Sequence, residues 1–172
     1  MILTAQVTDT AAPANKRMYY LKKKKKEKKT EKAPRANKPS VATLVKKLDK
    51  EFSLFIRLRD SREFGYKAFR CISCGQKKPF EEADCGHFIG RTHMSVRFDE
   101  LDCNAECRAC NRFSSDHIIY YQKNLEKKIG KDKLDQLIAR GHQTKKWTAW
   151  ELEILITHYK EENKRMLAEK EK

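Results

Sequence analysis

The chain has 172 residues, with 39 Lys and Arg against 24 Asp and Glu and a formal net charge of +15. That length leaves room for one modest domain plus tails, and the charge points to a polyanionic partner, with nucleic acid as the default. No stretch approaches the apolar length of a membrane span, so no membrane partner is expected.

The charge is uneven. Residues 1–40 hold twelve basic and three acidic residues, and so supply +9 of the +15. Their run of Lys22, Lys23, Lys24, Lys25 and Lys26 repels itself and buries nothing, which predicts a disordered basic tail. Such a tail either solubilises the chain or clamps phosphates without reading sequence. Residues 41–172 are expected to fold.

Ser40 is a plausible N-cap for the first helix. Val41, Leu44, Val45, Leu48, Phe52, Phe55 and Ile56 follow helical spacing and predict a core-facing stripe to about Asp60, with Lys46, Lys47, Lys50, Arg57 and Arg59 opposite. From Tyr66 the pattern changes, and aromatic and small residues lead to Cys74 with Gly75 as a turn. Glu81 to Ile89 reads as a strand ended by Gly90, and Arg91 to Glu100 as a loop. A helix is expected to open at or just after Cys110. Further helices are expected over His117–Ile129, stopped by Gly130, and over Lys131–Arg140, stopped by Gly141. Thr148-Ala149-Trp150-Glu151 matches a capping box for a last helix, with Leu152, Leu155, Ile156, Tyr159 and Met166 on one face. The reading is α+β: a small zinc-braced core over about 66–125, with flanking helices over 41–62 and 131–170.

The six cysteines carry the strongest signal. Cys71-Ile72-Ser73-Cys74 and Cys107-Arg108-Ala109-Cys110 are paired x-x knuckles, the spacing of a tetrahedral four-thiolate zinc site. The N-terminus lacks the charged start and apolar run of a secretory signal, so metal is expected rather than disulfides. A closed four-cysteine site cannot activate water, so its job is to fix geometry. Cys85 and Cys103 have no x-x partner and read as small buried residues, with a metal site as the alternative.

His87 lies within the zinc-closed loop, beside a glycine that would let a phosphate approach. A neutral imidazole can take a proton from water near neutral pH, as phosphodiester hydrolysis requires. Asn111 adjoins a zinc ligand and offers a rigid amide oxygen to a hard cation such as Mg2+. Asp102 and Asn104 approach the same knuckle from the other side. The blander reading, a zinc ribbon without catalysis, explains the cysteines but requires neither His87 nor Asn111.

Five segments occur in one order: Phe55 to Asp60, Cys71 to Gly75, Gly86-His87-Phe88-Ile89, Arg97-Phe98-Asp99-Glu100, and Cys107 to Asn111. That order resembles the phage NinG (Rap) family of recombination endonucleases, from about Val41 to Lys160. The resemblance implies an HNH-type ββα-metal fold similar to phage endonuclease VII. It implies cleavage of branched DNA, including Holliday junctions and D-loops, with structural Zn2+ and catalytic Mg2+ or Mn2+. His87 matches the general base, Asn111 the metal-binding residue after the last knuckle, and Asn104 the middle Asn, a position left open between Asp102 and Asn104. Gly86 stands where such enzymes usually place a metal ligand. Asp84, Asp99 and Asp102 are the candidates to replace it. Lys22 to Lys26, Arg91, Arg97, Arg108 and Arg112 are the expected DNA contacts. A homodimer and phage recombination or replication proteins are further expected partners, in the cytoplasm of a bacterial host. A non-catalytic zinc-dependent DNA-binding protein or a recombination adaptor is the alternative.

Overall fold

A computed structural model describes residues 38–171. The Lys22–Lys26 run, and all but the last three residues of the expected tail, lie outside the described residues. Helix α1 spans Val41–Ser61, and the Ser40 side chain accepts a hydrogen bond from the Thr43 amide at 3.2 Å. Leu44, Leu48, Phe52, Phe55 and Ile56 are buried as their spacing predicts. Burial of each such side chain contributes about 1.5–3 kcal/mol, so packing rather than propensity holds this helix. Two details differ from expectation. Val41, in the first turn ahead of the buried stripe, is exposed. Arg59 is not a solvent-facing cation: its guanidinium reaches the carbonyls of Glu100 and Cys103, both at 2.8 Å.

Two short antiparallel pairs follow. Strand β1 (Ala68–Arg70) pairs with β2 (Lys77–Pro79), and the first knuckle forms the bend between them. Gly75 closes that bend with φ +70°, a left-handed conformation that favours glycine. Strand β3 (Ala83–His87) pairs with β4 (Cys103–Cys107), placing Gly86 opposite Asn104 and His87 opposite Cys103. The expected strand over Glu81–Ile89 is shorter at both ends: Phe80–Glu82 forms a 3-10 turn ahead of it, and the pairing with β4 stops at His87. Strand β4 had no expectation of its own. All five of its residues are buried, so it lacks the in–out alternation by which a half-exposed strand is read.

Helix α2 (Arg108–Phe113) starts two residues before the expected point, with Cys107 as its N-cap residue and Cys110 inside its first turn. Helices α3 (His117–Ile129) and α4 (Lys131–Gly141) meet at Gly130, as expected. Tyr121 and Leu125 of α3 pack with Leu134 and Leu137 of α4 and with Val96 of the loop. Helix α5 (Ala149–Lys170) opens with the expected capping box: Thr148 Oγ1 accepts from the Glu151 amide, and the Glu151 carboxylate accepts from the Thr148 amide. Its Leu152, Ile156, Tyr159 and Met166 close over α1, with the Phe52 and Tyr159 rings 5.0 Å apart. The result is a mixed α+β domain in which helices enclose two small sheets. No described helix is long and apolar enough to cross a membrane.

Candidate metal centre and adjoining cleft

The two knuckles converge. The Sγ atoms of Cys71, Cys74, Cys107 and Cys110 all lie within 4.8 Å of one another. Four thiolates around a tetrahedral Zn2+ with bonds of about 2.3 Å would stand about 3.8 Å apart, so the cluster can hold a metal such as zinc. The backbone fixes the set. The Ile72 amide donates to the Ala105 carbonyl at 3.1 Å, and the Cys107 amide points at Cys71 Sγ at 3.3 Å. Burial pushes the Cys71 thiol up to about 11. A cation at the centre reverses that preference by stabilising the thiolate.

Beside this centre lies an open cleft of about 520 Å3, lined by Ser53, Asp84, Cys85, His87, Gly90, Arg91, Asn111 and Arg112. Strand β3 supplies Asp84 and His87. Helix α2, which begins at the second knuckle, supplies Asn111 and Arg112. The Asp84 carboxylate accepts from Asn111 Nδ2 at 3.1 Å and from Arg112 Nε and Nη2 at 2.6 and 2.8 Å. Burial works to raise the Asp84 carboxyl, but the Arg112 and Asn111 hydrogen bonds hold it below its ordinary range. His87 Nε2 lies 3.2 Å from the Arg97 carbonyl. That partner can only accept, so a neutral ring bonded to it carries its proton on Nε2 and keeps the lone pair on Nδ1. Burial lowers the imidazole below its ordinary value; the Arg97 carbonyl opposes this and the charge of Arg91 adds to it.

The expected site residues therefore divide. His87, Asp84 and Asn111 share one cleft, with Arg91 and Arg112 beside them. Asn104, Asp99 and Asp102 do not line it. Asn104 is buried, its Oδ1 held by Lys128 Nζ at 2.6 Å and Arg59 Nη2 at 3.3 Å, and its Nδ2 on the Tyr121 hydroxyl at 3.2 Å. Asp99 pairs with Arg140 at 2.8 Å. Asp102 is fully buried and accepts from the Ile89 amide at 2.7 Å; burial pushes its carboxyl up to about 7. Arg97 is tied to Asp49 at 2.7 Å, whereas Arg108 is exposed and donates to the Glu81 carbonyl at 3.1 Å. Gly86 does not open a path for phosphate. It is buried, and a Cβ there would lie 2.9 Å from Glu106 Cβ and 3.2 Å from the Tyr121 ring. Ser53 went unread in the sequence; its only signal is a polar side chain directly after the buried Phe52.

The family described as Bacteriophage Lambda NinG protein matches residues 4–171. The chain belongs to the NinG family. The ninG protein of Escherichia phage 933W is 29% identical over 123 residues, which cover 70% of this chain and 56% of that protein. The ninG protein of Escherichia phage lambda is 28% identical over 123 residues, covering 70% of this chain and 55% of its own length. For the ninG protein of Salmonella phage P22 the values are 29%, 70% and 56%. The chain thus spans about half the length of the curated NinG relatives it matches. No solved structure matches it.

Proposed function

We propose that this chain is a metal-dependent endonuclease of the HNH, endonuclease VII-like type that cleaves branched DNA such as Holliday junctions and D-loops in phage homologous recombination. The observation that carries the reading is the convergence of His87, Asp84 and Asn111 on one basic-rimmed cleft. The order β3–β4–α2 is the hairpin-then-helix arrangement that a ββα-metal core requires, and the four cysteines would hold Zn2+ at the point where hairpin and helix meet.

In this mechanism His87 Nδ1 takes the proton of a water that attacks the phosphorus. The Arg97 carbonyl fixes the ring through Nε2–H and keeps the attacking side unprotonated. Asp84 and Asn111 fit a hard cation, because a carboxylate and an amide already in hydrogen-bond contact offer adjacent oxygens once the amide turns over. Mg2+ or Mn2+ held there by Asp84 and Asn111 would supply Lewis-acid stabilisation of the developing charge and of the leaving oxygen. Arg112 would move from Asp84 to a phosphate, and Arg91 meets the backbone from the other rim.

One observation favours a second reading, a zinc-dependent DNA-binding protein without catalysis: Arg112 engages both oxygens of Asp84. A synthetic four-way junction separates the two readings. The nuclease nicks it in Mg2+ or Mn2+, spares linear duplex and stops in EDTA. Binding of the junction with no nick under any divalent cation would establish the second reading. The basic segment before Ser40 should add phosphate contacts without reading shape, so a chain starting there should show a flatter salt dependence with its junction preference kept.

A further inference from the structure

Cys85 and Cys103 stand outside the four-cysteine centre, and the mechanism above uses neither. They lie diagonally across the β3–β4 ladder, in which Cys85 faces Ala105 and His87 faces Cys103. Alternation puts Cys85 and His87 on one face of β3. Their ligand atoms and Cys103 Sγ all lie within 4.8 Å of one another. The Arg97 carbonyl closes on the same place, 3.2 Å from His87 Nε2 and 3.9 Å from Cys103 Sγ. As small apolar filler a cysteine is unremarked in a core, and Cys103 at 0% exposure fits that description. Cys85 does not, because it is partly exposed and lines a polar cleft.

Two thiols and an imidazole around one point are ligands for a thiophilic ion, and a Cys2His set with one further position suits Zn2+. Mg2+, which prefers oxygen, is not drawn to it. An ion entering through the cleft would meet Cys85 and His87 first and Cys103 behind them.

We propose that Cys85, His87 and Cys103 form a second zinc site, weaker than the four-cysteine centre, whose filling silences the cleft. Binding releases the two thiol protons to solvent and changes no oxidation state. The silencing holds whichever ring nitrogen binds. Zinc on Nδ1 takes the lone pair that would accept the proton of water. Zinc on Nε2 drives the remaining proton onto Nδ1. The silencing rests on the role of His87 proposed above, whereas the site itself does not.

The test uses the full chain, reduced and carrying one Zn2+, dialysed against a buffered excess of Zn2+. Metal analysis should give two ions per chain for the wild type and one for Cys85→Ser. Cys85 is half-buried, so the near-isosteric change should be tolerated; Cys103→Ala gives an independent second variant. Cys85 should react with iodoacetamide in the one-zinc form and be protected in the two-zinc form. With Mg2+ present, the second equivalent should slow junction nicking by the wild type about 10²-fold or more, the scale of losing a general base, while the rate of Cys85→Ser should not depend on added zinc. One ion per wild-type chain under excess zinc overturns the site, as does a second ion retained by both variants. Absence of nicking in every chain counts against the nuclease reading, and the stoichiometry then decides the site alone.

Discussion

Two clefts flank the β3–β4 hairpin, and they use the same kinds of side chain in opposite ways. The first draws His87 and Asp84 from β3. The second, lined by Arg59, Asp60, Asn104 and Lys128 among others, draws Asn104 from β4. In the second, Asn104 and Asp60 are saturated. Both polar atoms of Asn104 are bonded, and Asp60 accepts from Arg59 at 2.9 Å, from the Ala105 amide at 2.7 Å and from Lys128 at 3.3 Å. Burial works to raise the Asp60 carboxyl, yet these partners hold it below its ordinary value. Such a network locks α1 and α3 onto β4 and leaves Asn104 and Asp60 no free atom with which to react. In the first cleft, the His87 ring is held by backbone carbonyls and by no side chain, and Asp84 shares its oxygens with side chains that can swing away. An amide and a carboxylate are structural or chemical according to how many neighbours already hold them.

Substitutions can break that distinction. The largest effect is expected from Cys107→Ala, which removes one of the four thiols that could hold zinc where strand and helix meet behind both clefts. Structural zinc contributes on the order of 10 kcal/mol in small modules, so the variant should lose its cooperative thermal transition. A normal melting curve would detach both clefts from the metal centre. Next comes His87→Ala, expected to slow junction nicking by about 10²–10⁴-fold while melting and junction binding stay close to wild type. Unchanged nicking in Mg2+ would remove His87 as the base. Asn104→Ala should do the reverse. Stranding Lys128, Arg59 and the Tyr121 hydroxyl should cost about 1–3 kcal/mol in urea unfolding, with nicking per folded molecule within about threefold of wild type, as befits a residue whose loss acts through the fold. Loss of nicking without loss of stability would move Asn104 into the chemistry and erase the contrast. The smallest effect belongs to Thr148→Ala, far from either cleft. Loss of the α5 cap should cost about 1 kcal/mol and leave nicking and junction binding alone.

The helices could be read in the sequence because each carries its own local code. Ser40, Gly130 and the Thr148–Glu151 box mark ends, and three-to-four spacing marks the buried faces. The knuckles were legible for the same reason. Strand β4 was not, because Cys103-Asn104-Ala105-Glu106-Cys107 is buried throughout and pays no heed to alternation. Strands β1 and β2, three residues each, are too short for any period to show. Within the cleft, His87 and Asn111 followed from chemistry beside the knuckles. Asp84 stayed one of three choices, since strand alternation groups it with Gly86 and says nothing of α2. Only the packing of α2 against the hairpin puts Asn111 and Arg112 on the Asp84 carboxylate. The separate roles of Asp99, Asp102 and Asn104 depend on Arg140, Ile89 and Lys128, partners between 13 and 41 residues away in the chain.

The missing side chain of Gly86 has a consequence for what this protein can become. The volume that a ligand at this position would occupy already belongs to Glu106 and Tyr121. Tyr121 also sits with its hydroxyl 3.0 Å from the Gly86 carbonyl, so α3 grips the strand at that residue by shape and by hydrogen bond. A mutation placing an acid or a histidine at position 86 would push against the core before its side chain could reach the cleft. Making room for it would require β4 to give way at Glu106 as well as α3 at Tyr121. The residue next to His87 is therefore tied to Glu106 on the facing strand and to Tyr121 on α3, both far along the chain from it.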